Sequence, residues 1–353
     1  MMYESLLCLA YGEETMNFRS DNTAPVAPEI MTALMRVNEG ASLAYGADDW
    51  SRRLDQVMGA LFEREVRVFT VASGTAANSI ALASAVPPWG AVLCHREAHI
   101  ETDECGAPEF YSGGAKLMLM DGAGAKVTPQ VVKEAVARQA RGIHSVKPAA
   151  LSVSQATERG ALYTQAEMAA LGEAAKRAGL TFHVDGARFA NAVAALNCKP
   201  GDITWRAGVD ILSFGATKNG AMAAESVVVF NPDLAEAVER RRKRGGHLIC
   251  KGRYPAAQFL AYLEDGLWLR LAARANAMAR RLGEAAGKCL SLPVESNQVF
   301  IRPGAEALKR LRAAGAEFYD WGEVGAGEAR LVVSWSQEEA EIERFAELLR
   351  QLA

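Results

Sequence analysis

No apolar run in this chain approaches the ~20 residues that a helix needs to cross a bilayer, so a membrane-spanning role is not expected. Cysteine is sparse and unpatterned: Cys8, Cys94, Cys105, Cys198, Cys250 and Cys289 form no CxxC pair. A disulfide framework would be unusual in 353 residues, and the thiols point to a reducing cytoplasm. An excess of one charge is missing too. The net charge of −3 offers no electrostatic basis for binding nucleic acid or an anionic membrane. The densest basic run, Arg240-Arg241-Arg242-Lys243-Arg244, reads as a solvated helix face. There is no repeat of fixed period and no low-complexity tract. The opening stretch lacks the basic start of a signal peptide and carries Glu4, Glu13 and Glu14. Residues 1–15 are expected to be a loose leader, or an upstream mis-start before Met16.

What is present is ordinary for a globular enzyme: half the residues are apolar and fewer than a quarter are charged. The length suits one large core and a smaller second domain. Apolar β-branched runs alternate with alanine-rich stretches, the pattern of a mostly parallel sheet covered by helices in an α/β fold. The predicted strands are Val66–Val71, Ala91–Cys94, Lys116–Met120, Ala149–Val153, Leu180–Val184, Ile211–Phe214 and Ser226–Phe230. Between them lie predicted helices such as Thr75–Ala85, stopped by Pro87-Pro88, and Gln165–Ala178, stopped by Gly179. After Tyr254 the texture changes. A long helix-like stretch, Ala256 to Ala286, precedes short strands at Gln298–Ile301, Glu317–Tyr319 and Arg330–Trp335 and a closing helix from Glu338. The expected division is a large domain over residues 16–255 and a small α+β domain over 256–353.

Two places carry chemistry. The first strand runs into Ala72-Ser73-Gly74-Thr75 and then a helix, which gathers free N–H groups and the positive end of the helix dipole at one spot. Taken alone, this is either a phosphate-binding turn or a simple helix cap. Further on, Asp185 ends one strand, and the next strand ends in Gly215-Ala216-Thr217-Lys218-Asn219-Gly220. Ligands of open α/β sheets bind at the carboxyl ends of strands, so both side chains are expected in one crevice. Pyridoxal phosphate (PLP) chemistry needs such a pair: a lysine to hold the cofactor as a Schiff base, and a carboxylate to keep the pyridine nitrogen protonated.

The motifs in order resemble those of the L-threonine aldolases. Asn17-Phe18-Arg19-Ser20-Asp21-Asn22-Thr23, Ala44-Tyr45-Gly46-Ala47-Asp48-Asp49, the Ser-Gly-Thr turn, His183-Val184-Asp185-Gly186-Ala187-Arg188 and the lysine loop carry the likeness, which spans Met16 to the C-terminus. The lysine loop is most similar to that of the phenylserine-aldolase branch. The resemblance implies an aspartate-aminotransferase-like large domain, PLP as cofactor, and cleavage of L-β-hydroxy-α-amino acids to glycine and an aldehyde. It further implies a homodimer or homotetramer. By the same resemblance Lys218 is the Schiff-base residue and Asp185 the pyridinium partner. Ser73, Gly74 and Thr75 hold the phosphate, and Ser20, Arg188 and Arg330 hold the substrate carboxylate. His99 stacks on the pyridine ring, while Lys251 or Arg253 reaches the phosphate of a neighbouring subunit.

Some readings stay open. His95 and His99, four apart, with Glu97, Glu101 and Asp103, suit a zinc site if the stretch is helical, as an alternative to stacking. Relatives carry a histidine where this chain has Ser154-Gln155-Ala156-Thr157-Glu158-Arg159-Gly160. Gln155 is a candidate partner for the cofactor's phenolic oxygen. Glu158 is a candidate base for the substrate hydroxyl, His99 and a water are others, and Arg159 pairing with Glu158 would make both structural. Rival functions are another PLP reaction on the same scaffold, β-elimination or transamination, and a non-catalytic cofactor-binding partner protein.

Overall fold

The seven predicted strands are present and pair into one sheet: β1 (Arg67–Val71), β2 (Gly90–His95), β3 (Lys116–Met120), β4 (Lys147–Ser154), β5 (Thr181–Gly186), β6 (Ile211–Gly215) and β7 (Glu225–Val229). The computed structural model describes residues 15–139, 141–323 and 325–352; the expected leader, Thr15 apart, lies outside them. The strand order is β1-β7-β6-β5-β4-β2-β3. Neighbours from β6 to β3 pair in parallel, whereas β7 is antiparallel to both β6 and β1. A parallel return needs a crossover of about a dozen residues or more. The link between β6 and β7, residues 216–224, is too short for one, so β7 turns back. Every residue of β2, β6 and β7 is buried, as continuous apolar runs covered on both faces should be. The carboxyl ends of β1, β4, β5 and β6 and the first residue of β7 therefore share one edge of the sheet.

The chain divides into two units, Pro25–Ala273 and the residues up to Ala24 with Arg274–Ala353. This moves the expected boundary from 255 to Ala273 and takes the N-terminal residues out of the large domain. The helix-like stretch 256–286 is also not one helix. It forms Arg253–Leu263 and Leu267–Ala286, broken at Asp265 and Gly266, whose φ angles of 49° and 69° are left-handed.

In the smaller unit, Met16–Asn17 pairs in parallel with Ala316–Glu317. A separate antiparallel sheet has Glu328–Val332 between Tyr319–Trp321 and Gln298–Ile301. The predicted strand Glu317–Tyr319 is thus split at Phe318, and Arg330–Trp335 begins earlier and ends at Val332. The closing helix Glu339–Arg350 buries Ile342, Phe345, Ala346 and Leu349, a one-face spacing, and Phe345 packs on Phe18 with ring centroids 4.6 Å apart. No helix among the described residues is long and apolar enough to cross a membrane.

Helix Gln165–Ala178 matches its predicted span. Thr164 and Glu167 form a reciprocal capping box, and Gly179 ends the helix at φ 66°. Inside it, a Cβ on Gly172 would stand 1.7 Å from the Ala207 carbonyl oxygen. Helix propensity alone favours Gly172→Ala by ~1 kcal/mol. The close backbone approach reverses the sign, because overpacking a fixed backbone costs ~1–3 kcal/mol. Gly172→Ala is expected to lower the urea midpoint, while exposed Glu173→Ala leaves it within ~0.5 kcal/mol of wild type. A Gly172→Ala protein as stable as its parent would contradict the packing described here.

Candidate active site

Where β1 ends, Ser73 adopts an extended conformation and its Oγ accepts a hydrogen bond from the Ala76 N–H at 3.2 Å. The cap reading and the ligand reading are compatible. A hydroxyl that accepts from Ala76 still has its own proton to donate. The N–H groups of Gly74 and Thr75 belong to the first turn of helix Gly74–Ala85, where no intrahelical acceptor exists. Together they make an anion-binding corner at the sheet edge.

Three strands along, β5 delivers Asp185, which is buried. Its Oδ1 accepts from the Ala187 N–H at 3.0 Å, and its Oδ2 accepts from Asn78 Nδ2 at 2.9 Å. Burial alone would push this carboxyl up. The positive charge of His99, the Ala187 N–H, Lys218 and the Asn78 amide outweigh it and hold the pKa below the ordinary carboxylate value. Asp185 is therefore ionised in the interior. On the same strand, His183 lies between Ser152 Oγ (2.9 Å) and Ser213 Oγ (3.0 Å). Burial drives its pKa down to about 4 against the pull of Asp185, so the imidazole is neutral.

The Asn78 amide does more than hold Asp185. Its Nδ2 also donates to Glu104 Oε1 at 2.8 Å, and that same oxygen lies 2.8 Å from His99 Nδ1. The Glu104 side chain is 0% exposed, and burial raises its pKa against these two bonds. The bond to Glu104 raises the pKa of His99, with burial opposing it. The result is a continuous chain, His99–Glu104–Asn78–Asp185. Sequence reasoning missed Asn78 and Glu104. The available signal was a lone amide one turn into an alanine-rich helix whose N-terminus is the anion corner.

His95 and His99 serve different partners. His95 bonds the Glu97 N–H through Nδ1 and the Gly122 carbonyl through Nε2, both at 3.1 Å. Among the described residues no group of three His, Cys, Asp or Glu is placed to hold a metal. Glu158 Oε1 accepts from Ser154 Oγ at 2.6 Å and from the His99 backbone N–H at 2.9 Å, and burial raises its pKa. The neighbouring Arg159 donates from Nε to Glu97 Oε2 at 2.6 Å. Gln155 is fully buried, with Nε2 donating to the Tyr163 carbonyl (2.8 Å) and Oε1 accepting from the Tyr163 N–H (2.9 Å). Both ends of its amide thus hold the Tyr163 backbone.

Lys218 sits in a single helical turn, Thr217–Asn219, just past β6. Buried Asn219 anchors that turn by donating to Tyr262 Oη at 2.7 Å and to the Trp268 carbonyl at 2.8 Å. Gly220 closes it at φ 109°, and Phe214 below is ringed by Phe259, Tyr262 and Trp268. The half-buried Lys218 acts electrostatically on Asp185, His99 and Glu225, so its ammonium lies among them.

Of the expected carboxylate-binding residues, Arg188 follows β5 in the larger unit, while Ser20 and Arg330 belong to the smaller one. Ser20 Oγ accepts from the Asn22 N–H at 3.2 Å and caps the turn Asp21–Thr23. Arg330 lies over the Trp321 ring at 4.6 Å. In the larger unit, Lys251 is exposed, and Arg253 Nη1 donates to the Gly40 carbonyl at 3.0 Å. The loop before them is tied to the Tyr45-Gly46 motif by the Tyr45 N–H donating to the Cys250 carbonyl at 2.9 Å.

A family model described as beta-eliminating lyase matches residues 17–301. The low specificity L-threonine aldolase of Pseudomonas sp. (strain NCIMB 10558) is 42% identical over 342 residues, covering 96% of this chain and 98% of that protein. The low specificity L-threonine aldolase of Escherichia coli (strain K12) is 26% identical, covering 82% of this chain and 85% of that protein. Among solved structures, the threonine aldolase of Leishmania major superposes with a TM-score of 0.90 at 31% identity, covering 96% and 99% of the two chains. Thermus thermophilus aspartate aminotransferase, at 15% identity and a TM-score of 0.70, covers 100% of this chain and 95% of its own, and carries the same fold. This chain belongs to the beta-eliminating lyase family, among the L-threonine aldolases.

Proposed function

We propose that the protein is a pyridoxal-phosphate-dependent aldolase that cleaves L-β-hydroxy-α-amino acids, threonine among them, to glycine and an aldehyde. The observation that carries this is Asp185, kept ionised in the interior beside Lys218 and along the same edge as the anion corner at Ser73–Thr75. A buried anion at that point suits a protonated pyridine nitrogen, and a helix N-terminus suits a phosphate. When bound, the cofactor supplies the electron sink for the bond between Cα and Cβ.

The residues then divide the work. Lys218 would hold the cofactor through its side-chain amine. Asp185 keeps the ring nitrogen protonated, and the N–H groups of Gly74 and Thr75 with the Ser73 hydroxyl bind the phosphate. His99 covers the ring face, its orientation set by Glu104. Arg188 would hold the substrate carboxylate and so fix which bond at Cα is cleaved. Glu158 takes the proton of the β-hydroxyl. Its raised pKa and its two fixed hydrogen bonds suit a group that must accept a proton near neutral pH.

The five described cysteines are thiols, in keeping with a reducing cytoplasm. We place the working form as a homodimer or homotetramer. Leu43, Tyr45 and Ile249 stand exposed around the contact of Tyr45 with Cys250, next to Lys251, and suit burial against a second copy.

The direct test is to incubate the purified protein with L-threonine and with phenylserine and identify the products. Glycine with the matching aldehyde is expected, and borohydride should bleach the visible absorbance and fix the reduced adduct on Lys218. Ammonia with a keto acid, or an adduct on another lysine, would overturn the reading.

The base assignment is tested by Glu158→Gln beside His99→Phe, with cofactor occupancy measured in each. Glu158→Gln is expected to keep the cofactor and lose ~100-fold or more in kcat, the usual contribution of a positioned base. A loss of less than about threefold would remove Glu158 from that role and leave His99 or a water.

A further inference from the structure

Glu225 is a buried carboxylate at the same edge of the sheet, and nothing above uses it. It opens β7, where the ladder sets it opposite both Val71 at the end of β1 and Gly215 at the end of β6. Its carboxyl group fills the space that Gly215 leaves and comes within contact range of Gly74. A Cβ on Gly215 would stand 2.5 Å from Glu225 Oε2, and a Cβ on Gly74 would stand 3.9 Å from the same atom. Gly74 is the first residue of the helix that forms the anion corner. The carboxyl is therefore a wall of that corner.

The groups facing it are few. Thr217 hydrogen-bonds it, Lys218 attracts it and Asp185 repels it. Tyr262, from helix Arg253–Leu263, is near enough to feel its charge. Gln258 on that helix is bonded instead to the backbone of Met222 and Ala223. Lys218 is the cation that pulls its pKa down, against burial and Asp185. Burial already favours the neutral acid. A phosphate dianion at the Gly74 N–H would add a second like charge at short range, and two such anions do not both stay ionised in a buried site.

We propose that Glu225 is the proton-carrying wall of the phosphate corner: ionised opposite Lys218 in the cofactor-free protein, it takes one proton from solvent when the phosphate enters and donates that O–H to a phosphate oxygen. Loading of the phosphorylated aromatic aldehyde is then coupled to proton uptake. The same aldehyde without its phosphate leaves Glu225 with no anion to answer. The inference rests on the cofactor reading above.

Calorimetric binding of pyridoxal phosphate and of pyridoxal to the cofactor-free protein, in buffers of different ionisation enthalpy at pH 8, counts the protons. Wild type is expected to take up about one more proton than Glu225→Gln with pyridoxal phosphate, and the difference should vanish with pyridoxal. Equal uptake by the two proteins, or the same difference with pyridoxal, would overturn the role of Glu225. Pyridoxal phosphate binding no tighter than pyridoxal would instead overturn the phosphate corner itself. If Glu225→Gln does not fold, the infrared difference spectrum of wild type on adding pyridoxal phosphate decides. A new protonated-carboxyl band, absent with pyridoxal, is expected, and its absence would overturn the proposal.

Discussion

Burial opposes the charge on Asp185, and a carboxyl left alone at an apolar sheet edge takes up a proton, its pKa rising by as much as ~3–5 units. Here that tendency is beaten by two hydrogen bonds to the ionised form and by two nearby cations. The surroundings follow from that need. Asn78 must be an amide inside an alanine-rich helix, because its Nδ2 has to donate to Asp185 and Glu104 together. Glu104 must be a carboxyl group, because its bond to Nδ1 raises the pKa of His99 and so favours the imidazolium that acts on Asp185. Lys218 is the other cation, and its position depends in turn on Asn219 being tied to Tyr262 and Trp268.

The fold makes this possible by bringing the strand ends together. Because β7 turns back between β6 and β1, the anion corner after β1 lies along the same edge as the lysine turn after β6. The reversal also places Glu225 between them, with Gly215 making room for its carboxyl beside Gly74. One edge thus holds three buried carboxyl groups, Asp185, Glu104 and Glu225, whose pKa values are pushed in different directions. Hydrogen bonds and cations lower the pKa of Asp185, while burial raises the other two. Such pairs with separated pKa values are how one site holds both acid and base forms near neutral pH.

Much of this was legible in the sequence where local pattern decides. β3 and helix Gln165–Ala178 match their predicted spans, since the alternation of apolar runs and the Thr164 to Glu167 cap act over a few residues. The partnership of Asp185 with Lys218 followed from strand ends in an α/β sheet. What was not legible joins distant parts of the chain. Asn78 meets Asp185 across 107 positions, and no local pattern reports such a bond. Gln155 stands in the segment where relatives carry a histidine, and nothing local reports that the Tyr163 backbone holds both ends of its amide. The break at Asp265 was hidden for another reason: a non-glycine residue takes a left-handed conformation there, against its intrinsic preference. Glu225 lies one residue before the predicted strand Ser226–Phe230, and only the ladder sets it opposite Gly215 at the end of β6.

The account stands on Asp185 being charged in the interior. Carbon-13 NMR of the cofactor-free protein, with labelled aspartate carboxyls and the Asp185 signal assigned by its loss in Asp185→Asn, reads that charge directly. The resonance is expected to report an ionised carboxylate at every point from about pH 5 to 8, with Asn78→Ala moving its titration upward. A neutral Asp185 carboxyl anywhere in that range would contradict the account.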